Sequence, residues 1–478
     1  MPQPRTHDST PAPYRGRAAI LRSRQAGRPA NQGNRAINFL LALGVWIVIG
    51  MATIDFALLF AAPSVMAQAQ NLRAMTPDPT SRTIKILVIA VSLFVVFWRS
   101  RETIRVARRI NVFFFALAGL AIASVAWSFD PQATIARFVS FSATMLISIA
   151  FCTTGWHRAR FQNVVRAAVT AVLVGSLVYI AVAPQLAIDP NGAGYHGLSG
   201  QKNPFGEVAA VGTLLWMHRW ISGEDGSWRT IAGAAAAWAC LYLSRSATSI
   251  LATVFATFFL VMLMRLPASS RRYTPYITVA FAVLVVLYAL AILNIVPGLD
   301  TLLLRPITAI TGKDMTFSER TAIWQIVKAH ADLHPFLGTG YGAYWTGAYP
   351  GSQSYEVVRK LYYWPSESHN GYLEMYNDLG LVGLAGLLGY LATYIRQSLQ
   401  LFKVDRVQAA LFLALFFQQA FTNLSESCWF SANGVLPVAV VTLATCALGR
   451  ALAETRPASP QTADGRRAKG LPHARIGV

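Results

Sequence analysis

The chain has 478 residues, of which 54% are hydrophobic and 13% charged, with a mean hydropathy of +0.42 and a formal net charge of +20. Soluble domains carry about 25% charged residues, so this composition excludes an ordinary soluble protein and a disordered chain. Four cysteines are too few for a disulfide scaffold. The basic excess would suit a nucleic-acid partner, and the positions of the charges test that idea.

Twelve apolar runs follow one another along the chain, most of them long enough to cross the ~30 Å hydrocarbon core of a bilayer. They lie at 37–60, 84–98, 111–127, 135–153, 163–183, 204–221, 229–243, 246–266, 275–296, 370–395, 407–423 and 430–449. Each must be helical, because an isolated strand leaves its backbone groups unsatisfied in lipid. The pattern predicts an all-α polytopic membrane protein with about twelve transmembrane helices.

The basic residues predict the orientation of these helices. Of the 41 Lys and Arg residues, 29 fall in the two tails and in alternate connections. The positive-inside rule therefore predicts cytoplasmic termini and an even number of spans. The basic excess is explained by topology, so no nucleic-acid partner is expected. The predicted organisation is a basic disordered cytoplasmic tail (1–36), nine transmembrane helices (37–296), a large periplasmic loop (297–368), three more transmembrane helices (369–449) and a basic cytoplasmic tail (450–478).

The large loop 297–368 is far longer than typical connections, which marks it as a functional element. Ser318 is a candidate N-cap for an amphipathic helix over 319–332. Arg320, Trp324 and Val327 would share one face of it, so the helix is expected to lie along the membrane with a cation aimed at the headgroups. The glycines of PFLGTGYGAYW (335–345) lack the strand and helix of a dinucleotide site, and a tight turn docking on the membrane is favoured.

His369 directly follows this loop. Ser366 or Ser368 is expected to cap the tenth span, which would place His369 at a helix N-terminus. The positive end of a helix disfavours imidazolium, so a neutral His369 able to accept a proton is predicted. The alternative is an interfacial histidine that hydrogen-bonds to the backbone.

Other outer segments supply cations. Lys202 and Asn203 immediately precede the sixth span, and Arg245 lies in a connection too short to leave the membrane region. Asp55 is either a partner for Arg245 or an interfacial acid. Lys202, Arg245 and Arg320 suit an anionic substrate presented from the bilayer. No outer acidic or histidine group has metal-ligand spacing, so no metal or other cofactor is predicted. The four cysteines are expected to be small buried hydrophobes.

Four stretches resemble the O-antigen ligase family, which includes O-antigen and exopolysaccharide polymerases, and in particular its exopolysaccharide-production polymerase branch. They are GLSGQKNPFGEVAA, YLSRSATSI, SERTAIWQIVKAHADLHPFLGTGYGAYW and SHNGYLEMYNDLGLVGLAG. The family often has His-Lys-Asn where this chain has Gln201-Lys202-Asn203, which leaves Lys202 available and no role for Gln201.

The resemblance implies a GT-C-like glycosyltransferase of the bacterial inner membrane. It would transfer glycan from an undecaprenyl-diphosphate donor to an acceptor glycan or lipid A–core, and other polysaccharide-assembly proteins are candidate partners. Residue by residue, it implies catalysis by His369, diphosphate binding by Arg245, Arg320 and Lys202, and supporting roles for Asn203, Asn370 and Glu374. Glu367 or Glu374 is an alternative that could share the role of base.

Polymerase and ligase are not separated by these motifs. A transporter or flippase of lipid-linked sugars is the alternative from another class, because twelve spans are common there. Transporters usually contain internal repeats, and the single dominant loop of this chain is asymmetric. A non-catalytic assembly subunit is a third alternative, which gives no reason for clustered outer cations.

Overall fold

The computed structural model describes residues 32–55, 79–189, 194–224, 226–292, 298, 299, 301–303, 305, 318–431 and 435–455. Fifteen α-helices of these residues are numbered here in chain order. They are α1 (Gln32–Thr53), α2 (Pro79–Trp98), α3 (Ser100–Ala107), α4 (Val112–Ala123), α5 (Pro131–Thr153), α6 (Arg160–Val182), α7 (Lys202–Ser222), α8 (Trp228–Ser244), α9 (Ala247–Arg265), α10 (Thr274–Ile292), α11 (Ser318–Ala331), α12 (Tyr355–Leu361), α13 (Gly371–Phe402), α14 (Arg406–Thr422) and α15 (Leu436–Thr455). Within the described ranges the only β-pairing is an isolated bridge between Ile188 and Tyr195, so the all-α prediction is confirmed.

Each of the twelve predicted apolar runs coincides with a helix. Seven described helices are long and apolar enough to cross a bilayer, and the pair Ser100–Ala107 and Val112–Ala126, bent by 104°, would make an eighth. The count of twelve spans stays a prediction. Helix α1 begins at Gln32, within the predicted tail 1–36, and helix α15 extends to Thr455, within the predicted tail 450–478. The rest of both predicted tails lies outside the described residues.

The centre of the bundle is formed by α14 and α15. Every α14 residue from Gln408 to Thr422 is buried, as expected for a helix that is apolar on all sides. Helices α1 and α2 lie at the periphery, where Phe39 and Phe94 are exposed. All four cysteines are free and buried, which confirms their prediction as small buried hydrophobes.

Connections that were predicted to share the cytoplasmic side contact one another at one end of the bundle, called here the basic end. At the basic end, Arg158 before α6 pairs with Asp405 before α14 at 2.6 Å, and Arg450 in α15 contacts Glu102 in α3. The opposite end, called here the outer end, holds the segments that resemble family motifs. There α11 and α12 pack together in a small separate core formed by Ile323, Ile326, Val327, Tyr344, Trp345, Val357 and Trp364.

Candidate functional site

The segment that carries His369 is held tightly at the start of α13. His369 has a positive φ of 51°, and Asn370 is the N-cap, with its side chain accepting from the N–H groups of Tyr372 and Leu373 at 3.1 Å. The prediction that Ser366 or Ser368 caps this helix is therefore wrong, because Asn370 fills that role.

Ser368 instead anchors the segment. Its N–H donates to Glu374 at 3.0 Å, and its carbonyl accepts from the indole of Trp324 in α11 at 3.0 Å. The backbone of the loop that precedes α13 is thus fixed by the Glu374 carboxylate and by the Trp324 indole. Asn370 and Glu374 both contact the segment that carries His369, and their supporting roles stay a prediction.

A second loop, between α14 and α15, is folded against this segment. Asn423 Oδ1 accepts from the N–H groups of Cys428 and Trp429 at 2.7 and 3.0 Å, which curls the loop. The N–H of Gly371 donates to the carbonyls of Asn423 and Glu426. A Cβ on Gly371 would lie 2.0 Å from Asn423 Oδ1, so only glycine permits this close approach. The loop consequently holds Glu426 beside His369.

Five side chains from four parts of the chain meet there and form the outer cluster: Asn203, Arg320, Glu367, His369 and Glu426. Glu426 Oε1 accepts from Arg320 Nη2 at 2.8 Å and from Asn203 Nδ2 at 2.9 Å. Its other oxygen lies 3.2 Å from His369 Nδ1, and Glu367 Oε1 lies 2.9 Å from the same nitrogen. The side chain of Glu426 is 10% exposed and that of His369 is 24% exposed. The cluster is thus enclosed but open to a substrate at the imidazole.

The two carboxylates set the protonation of His369. Burial by itself lowers the pKa of His369, but the charges and hydrogen bonds of Glu367 and Glu426 outweigh burial and raise it to about 9. The prediction of a neutral imidazole is therefore wrong for the free protein at pH 7, because two carboxylates at contact distance outweigh a helix terminus. Burial raises the pKa of Glu426, yet the Arg320 guanidinium and His369 hold it well below its usual range.

The same contacts fix the tautomer of His369. Both carboxylates face Nδ1, so the neutral imidazole carries its proton on Nδ1 and presents Nε2 as a proton acceptor. This arrangement is equivalent to the carboxylate that orients the histidine of a serine-protease triad.

The remaining predicted cations lie near the cluster at the same end of the bundle. Lys202 and Asn203 are the first residues of α7, and the backbone N–H of Lys202 donates to Asp189 at 2.9 Å. Arg245 is the exposed C-cap of α8, with a positive φ of 52°. The residue after it, Ser246, packs against the first turns of α7, since a Cβ on Gly206 would lie 2.8 Å from Ser246 Cβ. The structure thus places Asn203, Arg320 and His369 in direct contact through Glu426, and Lys202 and Arg245 on adjacent turns.

The sequence did not single out Glu426. It is an acid in the short connection between the last two spans, and an ionisable residue in such a place is costly unless it is paired or functional. That signal was present but was not linked to His369, because only tertiary contacts bring these residues together. Asp55 donates its backbone N–H to Leu198 at 3.0 Å, and its proposed pairing with Arg245 stays untested.

Helix α11 (Ser318–Ala331) lies within one residue of the predicted range 319–332, but its apolar face is not on the membrane. Trp324 and Val327 are buried against the protein, and Arg320 contacts Glu426 and the carbonyl of Ser425 rather than a headgroup. The prediction of a membrane-surface helix is therefore wrong, since this face packs against α13 and its neighbouring loops.

The part of the glycine-rich turn from Gly338 to Trp345 also docks on protein. The N–H groups of Thr339 and Gly340 donate to the carbonyls of Asn377 and Asp378 in α13, both at 3.0 Å. A turn is thus confirmed, but its glycines and its aromatic residues Tyr341, Tyr344 and Trp345 are buried within the protein.

The cluster also has donor atoms suited to a cation. Glu367, His369 and Glu426 each offer one ligand atom, and these atoms lie within 4.8 Å of one another. Carboxylate and imidazole ligands suit several divalent metals, although Arg320 already neutralises Glu426. Distant segments therefore assemble a group that the sequence spacing did not suggest.

Comparison with known proteins supports the resemblance. Residues 232–388 match the family model described as O-antigen ligase. The resemblance to the O-antigen ligase family is thus confirmed. The exopolysaccharide production protein ExoQ of Rhizobium meliloti (strain 1021) is 27% identical over 324 residues, which cover 65% of this chain and 71% of that protein. A membrane enzyme of polysaccharide or O-antigen assembly is the class that these two matches support.

The O-antigen ligase match covers only part of the outer cluster. It includes Arg320, Glu367 and His369, while Asn203 precedes its start and Glu426 lies beyond its end; Arg245, outside the cluster, also falls within the match. The two-carboxylate environment of His369 is accordingly a feature of the folded chain rather than of the matched segment.

Proposed function

We propose that this protein is a metal-independent glycosyltransferase that moves glycan from an undecaprenyl-diphosphate donor to an acceptor sugar hydroxyl. Its reaction would extend an exopolysaccharide or O-antigen, or attach the finished polymer to lipid A–core. The observation that carries the proposal is the outer cluster, in which an oriented histidine stands beside an arginine that can bind phosphate.

The chemistry needs one proton acceptor and a stabilised leaving group. The acceptor oxygen attacks the anomeric carbon of the donor sugar, and the bond from that carbon to the phosphate oxygen breaks. The electron pair of the broken bond goes to the diphosphate, and the hydroxyl proton goes to His369 Nε2. The imidazolium formed in this step is stabilised by Glu367 and Glu426, which already face Nδ1.

Arginine and lysine side chains would stabilise the negative charge that develops on the diphosphate. Arg320 lies in the cluster, and Arg245 and Lys202 occupy the neighbouring turns at the same end. Asn203, Asn370 and Glu374 would act through the residues that they position, since Asn203 contacts Glu426 and the other two fix the His369 segment.

The topology fits a reaction on the periplasmic face of the inner membrane. The basic end, which holds most of the Lys and Arg residues, would face the cytoplasm, with both termini on that side. The outer cluster lies at the opposite end, where lipid-linked glycan would be presented. A hydrophobic surface between helices would hold the polyprenyl tail.

The deciding experiment uses purified protein in proteoliposomes with lipid-linked glycan as donor. His369→Asn is the best variant, because asparagine tolerates the left-handed backbone that His369 adopts. We expect glycosyl transfer to fall by about 10²–10⁴-fold, the usual contribution of a general base. The variant should still unfold cooperatively, but at a lower temperature than the wild type, because Glu367 and Glu426 lose the imidazolium that they contact. His334→Asn, which alters an exposed histidine outside the cluster, should keep wild-type turnover. Equal turnover of His369→Asn and wild type would exclude His369 as the base.

Cells lacking the protein would distinguish the two versions of the function. Loss of a polymerase leaves single repeat units on the lipid carrier, whereas loss of a ligase leaves finished polymer there. Loss of a flippase would instead leave lipid-linked units on the cytoplasmic side. A purified flippase would also show no glycosyl transfer.

A further inference from the structure

Helix α13 is broken inside its outer half. Gly380 has φ 64° and ψ −160°, so the helix cannot continue through it. The carbonyls of Asn377 and Asp378 would normally accept from Leu381 and Val382 four residues later. They accept instead from the glycine-rich turn after α11.

The same turn also accepts hydrogen bonds from the N–H groups that lose their helical partners at the break. The N–H groups of Leu381 and Val382 donate to the carbonyls of Pro335 and Phe336 at 2.7 and 3.2 Å. Non-helical backbone at membrane depth is tolerated only when its polar groups are satisfied in this way. The break can therefore lie at the surface of the hydrocarbon.

Apolar side chains cover the outside of the joined segments. Leu333 is 71% exposed and Phe336 is 69% exposed, while Leu337, Leu381 and Val382 are 44%, 46% and 47% exposed. These five residues form the apolar loop patch. Two of them belong to α13 and three to the loop, and the backbone hydrogen bonds at the break make them neighbours.

The patch continues the lipid-facing side of a membrane helix. Residues 381–402 rise about 33 Å, enough for the ~30 Å hydrocarbon core, with Arg396 near its inner edge, where a long basic side chain reaches the headgroups. The nine residues before Gly380 include Glu374, Asn377 and Asp378, which belong outside hydrocarbon. The membrane-crossing part of α13 thus starts at Leu381, next to the patch.

Polar groups of the kind found at a membrane surface border the patch. The indole Nε1 of Trp127 donates to the carbonyl of Leu337 at 3.0 Å. Lys328 pairs with Asp332 at 2.6 Å, and the Tyr376 hydroxyl donates to the same aspartate at 3.1 Å. An indole and an exposed ion pair beside exposed leucines and phenylalanine are typical of the border between headgroups and acyl chains.

We infer that the apolar loop patch inserts into the outer leaflet and anchors the large outer loop to the bilayer. The loop then borders the site in a fixed position, because it is anchored to lipid at Leu333–Leu337 and to α13 at the break. His369 directly precedes the N-cap of α13, about 15 Å from the break along the helix axis, which is outside a headgroup layer about 5–8 Å thick. This last point rests on the proposed function, because that height suits the first sugar of a lipid-linked donor.

The test uses full-length protein in bilayer nanodiscs with single-cysteine reporters. The four native cysteines are buried, so background labelling is low. Leu333→Cys and Phe336→Cys carry a fluorescent probe in the patch. Phe94→Cys on the exposed side of α2 is the control in lipid, and Arg359→Cys, an exposed charged position on α12, is the control in water.

Brominated lipids should quench the Leu333 and Phe336 probes to the level of the Phe94 probe, and several-fold more than the Arg359 probe. Iodide should show the reverse order. Iodide quenching of both patch probes at the Arg359 level would overturn the inference. Protection of both from either quencher would also overturn it, because a protein partner or a second copy would then cover the patch. Neither result depends on glycosyl transfer, so the proposed function is tested separately.

Discussion

Removal of the Glu367 carboxylate should shift the pH dependence of the reaction. The pKa of His369 is raised from 6.5 to about 9 in the protein. This net difference of about 2.5 units corresponds to about 3 kcal/mol in favour of imidazolium. Glu367 is the nearer of the two carboxylates, at 2.9 Å from Nδ1 against 3.2 Å for Glu426. Loss of its charge in Glu367→Gln should therefore lower the pKa of His369 by at least about one unit.

The sign of the effect follows from the raised pKa. Only neutral His369 accepts a proton, so kcat/KM for the donor should rise tenfold per pH unit and level off above about pH 9 in the wild type. In Glu367→Gln the plateau should begin at about pH 8 or lower. The neutral fraction at pH 7 would then rise from about 1% to about 10%. A histidine-selective NMR titration measures the same pKa without turnover.

Glu356→Gln is the matched control, because Glu356 is an exposed acid of the outer loop that pairs with Arg359. Its profile should coincide with that of the wild type. If kcat/KM of the wild type instead rose around pH 6.5, the reasoning would be refuted, because the two carboxylates would then not raise the pKa of His369. If kcat/KM of Glu367→Gln still levelled off only near pH 9, Glu426 alone would set the pKa of His369.

Two further predictions concern the helix break and metal dependence. Gly380→Ala should lower the thermal unfolding temperature, because its Cβ would lie 2.3 Å from the backbone of Phe336 at a positive φ, whereas Gly119→Ala, with open space around it, should not. Equal unfolding temperatures for the two variants would contradict the observed interlock. Glycosyl transfer should persist in EDTA, and loss of activity that Mg²⁺ or Mn²⁺ restores would instead make Glu367, His369 and Glu426 metal ligands.

The sequence predicted the helices well because their signal is local. Length and apolarity alone located a helix at each of the twelve predicted runs. Helix ends were less accurate, since caps and loops decide them: α1 starts at Gln32 rather than 37, and Asn370 rather than a serine caps α13. Such ends depend on single hydrogen bonds that composition does not encode.

The site was only partly predictable for the same reason. His369 and Arg320 stood out as an outer histidine and an outer cation, and both lie in the outer cluster. Glu426 did not stand out, because it is more than 50 residues away from His369 in the sequence. The predicted charge of His369 was wrong because a helix terminus was weighed without either carboxylate. Glu426 reaches His369 only through the fold, but Glu367 is two residues before it in the sequence and was not considered as its partner.

The outer cluster must meet two opposite electrostatic requirements. With His369 protonated, Arg320 and His369 balance Glu367 and Glu426, and a diphosphate meets a neutral site. With His369 neutral and able to accept a proton, the two carboxylates leave the same site negative, which opposes the donor. The state that accepts the proton is thus the worse state for binding. In the proposed reaction, cations outside the cluster would resolve this conflict, and Arg245 and Lys202 occupy the turns beside it. Because neither contacts His369 in the cluster, they would attract phosphate without displacing the carboxylates that face the imidazole.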